Sequence, residues 1–97
     1  MSESITGTME FDPELRYTPS GKALATFRLV LGDKSITRCE AWEPLSETIA
    51  DRIDLYKRFA IVTCIGRTRE RVYGGQTYKV FTIYAITYQG EEIPDLP

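Results

Sequence analysis

The chain has no histidine, two cysteines, a single tryptophan and no long apolar run. Each absence excludes something. Without histidine there is no His-based catalytic triad, and both the commonest general base and the commonest metal ligand are gone. Two cysteines, Cys39 and Cys64, cannot by themselves make a four-ligand zinc site. Their spacing does not suggest a disulfide framework, which points to reduced core thiols in a cytoplasmic protein. No stretch approaches the ~18 apolar residues of a membrane-spanning helix. The opening MSESITGTME has neither the basic nor the apolar region of a signal peptide. Carboxylates occur, but none comes with a supporting Lys or a Gly-rich phosphate loop, so an enzyme, a cofactor and a metal are not expected.

What is present is one small domain: 97 residues, 42 % hydrophobic and 27 % charged, a balance that excludes disorder and coiled coil as whole-chain readings. Twelve Lys and Arg against fourteen Asp and Glu give a net charge of −2, which on its face argues against nucleic acid. The distribution argues the other way. Glu91, Glu92 and Asp95 gather in the segment 90–97, and Glu43, Glu47, Asp51 and Asp54 gather in 43–54. The rest of the chain is net positive, and a localised basic face matters more than the sum.

The hydropathy pattern predicts mostly strands. ITGTMEF (5–11) is a first strand, weakened by Gly7, and FDPELRYTPSGK is a run of turns. ALATFRLVL (23–31) alternates, with Ala23, Ala25, Phe27, Leu29 and Leu31 on one face and Leu24, Thr26, Arg28 and Val30 on the other. Gly32-Asp33 reads as a two-residue type II′ hairpin turn into KSITRCEAW (34–42). Pro44 then opens a helix whose apolar stripe is Leu45, Ile49, Ile53 and Tyr56. RFAIVTCIGRTRERVY (58–73), Gly74-Gly75 and QTYKVFTIYAITYQ (76–89) form a second hairpin. Five strands with one helix between the third and fourth match the OB-fold, a Greek-key barrel. The barrel is expected to span 1–89, with an acidic tail over 90–97.

Three blocks carry a family likeness. FDPELRYTPSGKALATFRL, with Asp12, Pro13, Glu14, Arg16, Tyr17, Thr18, Pro19 and Gly21 in order, resembles the front of the bacterial single-stranded DNA-binding proteins. AWEPLSE and IGRTRERVY resemble that family's third-strand end and its fourth strand. The resemblance implies an OB-fold and sequence-independent binding of single-stranded DNA (RNA being a further candidate) in replication, recombination or repair. It also implies a homo-oligomer, a tetramer, and replication or repair partners for the acidic tail. There are departures. Ile36 stands where the family has an aromatic, the 32–33 hairpin is short, and the acidic tail lacks the family's terminal Phe.

Single strands are held by base stacking on aromatics and by cations along the phosphates. The resemblance puts Ile36, Arg38 and Trp42 on the ligand-facing side of the third strand. The pleat agrees, because Thr37, Cys39 and Ala41 are small enough to face a crowded interior. Thr26 and Arg28 then point outward from the preceding strand. Arg67, Arg69, Arg71 and Tyr73 recur at spacing two, so they share one face that suits phosphates and a stacked base. The same pattern also fits a solvated strand edge whose charge discourages pairing. Trp42 fits a packing lid over the helix as well as a stacking platform, and Arg16 and Tyr17 fit turn packing as well as binding. Glu40 lies on the proposed face and opposes phosphate. With the missing aromatics and the net negative charge, it leaves open an OB-fold protein-interaction module.

Overall fold

The fold is known from a computed structural model, which describes residues 2–92. Six strands and one helix follow in the order β1 (Glu3–Met9), β2 (Glu14–Tyr17), β3 (Ala23–Val30), β4 (Ile36–Trp42), α1 (Leu45–Asp51), β5 (Ala60–Tyr73) and β6 (Gln76–Glu91). Sheet order is β1-β5-β6-β4-β3-β2, and a further β1–β3 pairing closes the sheet on itself. The closed ring of β1, β3, β4, β6 and β5 is the OB-fold barrel.

The strand count corrects the sequence expectation. The helix lies between β4 and β5, not between a third and a fourth strand, because Glu14–Tyr17 is a strand within the segment read as turns. It pairs with β3 from Glu14↔Thr26 to Tyr17↔Ala23. β1 uses the same edge of β3 further along, at Met9↔Leu29 and Thr8↔Val30. β1 and β2 are thus one line along that edge, broken where four residues on one side (10–13, between Met9 and Glu14) face two on the other (27–28, between Leu29 and Thr26). Pro13 sits in this break and supplies no N–H to continue the ladder. β1 itself runs unbroken through Gly7.

β3 shows the clean alternation its sequence predicts: Ala23, Ala25, Phe27 and Leu29 are buried and the residues between them are half-buried. Ala25, Phe27 and Leu29, with Met9, Cys39, Ala41, Val62, Cys64, Phe81 and Ile83, fill the barrel. Cys39 and Cys64 are free and buried. Cys64 beside it, together with burial, pushes the Cys39 thiol well above its ordinary range.

The turn after β3 differs in type from the expectation. Positive φ falls on Lys34 (69°), not on Gly32. Lys34 N–H donates to Leu31 O at 2.9 Å, so Gly32 and Asp33 are the centre of an ordinary turn followed by one left-handed residue. Asp33 Oδ1 accepts the Ser35 N–H at 2.9 Å and holds that shape. Gly74 and Gly75, by contrast, both have positive φ (58° and 79°), as a two-residue I′ turn requires.

α1 caps one end of the barrel. Ile49 is fully buried, and the buried Ser46 donates its hydroxyl to Ala23 O at 3.2 Å. The expected stripe fails at Ile53, which is 48 % exposed. Arg52 leaves helical geometry at the C-cap, so the next step of the stripe is lost, and Tyr56 is buried from an irregular turn instead. β6 continues past Gln89, with Glu91 opposite Ala60 and ion-paired to Lys57 at 3.4 Å. The acidic segment 90–97 is therefore divided. Gly90 and Glu91 are sheet, and residues 93–97 lie outside the described ones.

β5 and β6 pair from Ala60↔Glu91 to Tyr73↔Gln76. A 14-residue strand spans about 46 Å at ~3.3 Å per residue, and the molecule measures 46 × 28 × 27 Å. The hairpin thus runs the length of the protein, from the barrel wall to a projecting arm.

Candidate nucleic-acid interface

The outward face of the barrel is built from alternate residues of β3 and β4. Register sets Leu24 opposite Trp42, Thr26 opposite Glu40, Arg28 opposite Arg38 and Val30 opposite Ile36. Two arginines directly opposite would repel. They separate: Arg28 leans toward β1, where it meets Glu10 at 3.2 Å and lies 5.2 Å from the Phe11 ring. Arg38 leans the other way and lies 5.5 Å from the Tyr78 ring of β6. Ile36 is 54 % exposed at the far end of the face.

β2 extends this face on one side. Arg16 is opposite Leu24 and Glu14 is opposite Thr26, so both point outward, and they form an exposed ion pair at 3.2 Å. Tyr17 is opposite the buried Ala23 and faces the other side of the sheet, away from Arg16. Between β2 and β4 runs an open groove of about 450 Å³, walled by Phe11, Arg16, Thr26, Arg28, Arg38 and Glu40.

The arm joins the face from the other side. Arg67, Arg69 and Arg71 share one face of β5, opposite Thr82, Val80 and Tyr78 of β6. Val80 also lines the groove, so the two surfaces are continuous. Among the described residues Arg67 and Arg69 have no ion-pair partner. Arg71 has a strong one: its Nε donates to Glu40 Oε1 at 3.2 Å and its Nη2 to Glu40 Oε2 at 2.9 Å. This bidentate bond raises the Arg71 pKa above its ordinary value. Glu40 is only 6 % exposed, and it also accepts the indole N–H of the half-buried Trp42. The carboxylate on the face thus does not offset Arg38, as its position on the same strand suggests. It binds Arg71 from a strand 31 residues away and fixes the arm against β4. Tyr73 ends β5, and its side chain is outside the described ones.

Sequence reasoning missed Phe11 and Tyr78. Tyr78 had a usable signal: a two-residue turn at Gly74-Gly75 sets it opposite Arg71. Phe11 had none, because in a segment with the residues of turns no strand or helix period assigns a side chain to a face. Among the described residues no three Cys, Asp or Glu side chains converge where a cation could sit. No helix among them is long and apolar enough to cross a membrane.

Known proteins resemble the chain in sequence and in fold. No protein-family model matches the chain. The single-stranded DNA-binding protein of Bacillus cereus is 31 % identical over 85 residues, covering 77 % of this chain and 48 % of that protein. That of Mycobacterium tuberculosis strain H37Rv is 32 % identical over 82 residues, covering 70 % of this chain and 48 % of that protein. The chain is a relative of the bacterial single-stranded DNA-binding proteins. It spans about half the length of the curated relatives it matches. The family's barrel is also found in the solved structure of the single-stranded DNA-binding protein from Thermus aquaticus, with a TM-score of 0.76 and 21 % identity. That likeness covers 99 % of this chain and 43 % of that one.

Proposed function

We propose that the chain binds single-stranded DNA without sequence preference, as a non-catalytic protein that protects and organises exposed strands in replication, recombination or repair. The observation that carries this reading is the continuity of the groove with the arm. A strand laid along them meets arginines at both ends and the half-buried Trp42 beside Glu40. In this reading Arg28, Arg38, Arg67 and Arg69 contact phosphates, with Arg16 at the groove's edge. Trp42 and Tyr73 stack on bases, Ile36 and Thr26 support the strand, and Arg71 positions the arm and reaches phosphate only when Glu40 releases it. RNA fits the same sequence-tolerant chemistry. The reading also includes a cytoplasmic homotetramer, an OB-fold binding unit over 1–89 and an acidic end, 90–97, that recruits replication or repair proteins.

The competing reading, an OB-fold protein-interaction module, draws support from Glu40, which puts a carboxylate at the centre of the face and neutralises Arg71. Trp42 separates the two, because it is the only tryptophan. Adding poly(dT) is expected to quench its fluorescence, less so at high salt. Trp42→Ala is expected to weaken binding by about 1–3 kcal/mol, while Trp42→Phe keeps most of the affinity. No quenching and no binding at low salt would hand the site to the interaction module.

A further inference from the structure

Phe59 is held in a conformation that glycine ordinarily occupies. It is the third residue of a turn closed by the Ala60 N–H donating to Lys57 O at 3.0 Å, and its φ is 73°. A positive φ at this turn position favours glycine, and for a bulky residue it is a strained outlier. Two further bonds hold it there: Phe59 N–H donates to Met9 O at 3.0 Å, and Glu92 N–H donates to Phe59 O at 2.8 Å. The strain does not place the ring in the core, since Phe59 stays 40 % exposed. A strained backbone that presents an aromatic to solvent points to a role for the ring itself.

The neighbours of Phe59 indicate what that role is. Arg58 lies 4.7 Å from the Phe59 ring centroid and 5.9 Å from that of Phe11. Phe11, 49 % exposed, carries Arg28 at 5.2 Å, and both Phe11 and Arg28 wall the groove. Arg28, Phe11, Arg58 and Phe59 therefore form one alternating row of cations and rings that starts in the groove and leads off the barrel face. Of the nearby acids, Glu92 has no ion pair among the described residues, Glu10 is ion-paired to Arg28 and Glu91 to Lys57, and Asp12 accepts the Arg58 backbone N–H at 2.8 Å. That last bond fixes Arg58 to the segment carrying Phe11.

We propose that Phe11, Arg58 and Phe59 form an outlying subsite for single-stranded nucleic acid, where bases of the strand leaving the groove stack on the two rings and Arg58 meets the phosphate between them. Stacking and cation–π contacts of this kind are indifferent to sequence. The proposal rests on the reading that the groove itself holds a single strand.

Phe59→Gly makes the test clean, because glycine relieves the backbone strain while it removes the ring. Its melting temperature is expected to equal or exceed that of the wild type. Oligo(dT) of increasing length, from about 4 to about 16 nucleotides, is then titrated by fluorescence anisotropy. The shortest oligomers are expected to bind Phe59→Gly and wild type alike. The longest are expected to bind Phe59→Gly about 5- to 150-fold more weakly, the loss of one stacked base. Trp42→Ala, by contrast, is expected to lose affinity at every length. Unchanged affinity at all lengths overturns the subsite, and so does an equal loss at all lengths, which would put Phe59 inside the groove. If wild type binds no oligomer, the single-strand reading fails and the subsite with it.

Discussion

Strand β5 carries one alternation through two environments. From Ala60 to Gly66 it is barrel wall: Ala60, Val62 and Cys64 are fully buried, and a Cβ on Gly66 would run into the Thr82 carbonyl oxygen. From Arg67 to Tyr73 the same ladder continues, but the described side chains are exposed, and Arg67, Arg69 and Arg71 face one side together. The register changes between the halves, at Ile65/Gly66. A bulge there bends the hairpin and re-aims the side chains beyond it. The lower half is governed by packing and the upper half by charge, so the two should respond to different perturbations.

The largest expected effect is at the boundary. In Gly66→Ala the added methyl meets main chain, Thr82 O and Ile83 Cα, which cannot swing aside as a side chain can. The expected loss is about 3 kcal/mol or more, read from the urea midpoint. A loss under about 1 kcal/mol would show that the wall can slide past its bulge.

Arg71→Ala is expected to be intermediate. It leaves the buried Glu40 with only the Trp42 indole as partner, at a cost of about 1–3 kcal/mol of stability. Because this arginine is already neutralised, the slope of log K against log salt for poly(dT) should change by less than the ~0.7 of a full phosphate contact. A normal melt with a full slope change would make Arg71 a phosphate ligand like its neighbours.

The smallest effect on the fold is expected from the double variant Arg67→Ala, Arg69→Ala. Stability should stay within about 0.5 kcal/mol, as for exposed residues generally. The salt slope should flatten by about 1.4, two contacts at ~0.7 each. An unchanged slope would return these residues to a solvated edge.

The same contrast explains what could be read in the sequence. The β3 alternation, the Gly74-Gly75 turn and the spacing of the β5 arginines are local patterns, and they describe the strands and the exposed arm. β2 is four exposed residues between prolines, with no hydrophobic period to reveal it. Ile53 continued a helical stripe on paper, but the helix ends at Asp51, where Arg52 turns out of it. The Glu40–Arg71 bond joins two strands brought together by the parallel β4–β6 pairing, so residue spacing could not reveal it. Phe59 has a common turn conformation and an uncommon residue for it, visible only once φ is known.

The pairing of β1 with β5 has a consequence during synthesis. Glu3 faces Gly66 and Thr8 faces Ile61, so β1, synthesised before the rest of the barrel, finds most of its ladder in a segment made much later. At ~5–20 residues per second that interval is on the order of seconds. β3 and β4 can form a hairpin in the meantime, and β3 can receive the end of β1 at Met9 and Thr8. The rest of β1, Glu3 to Gly7, must wait with an open edge. Ring closure is therefore a late event in the life of the nascent chain, and the polar Glu3, Ser4 and Thr6 help keep that edge from finding another chain first.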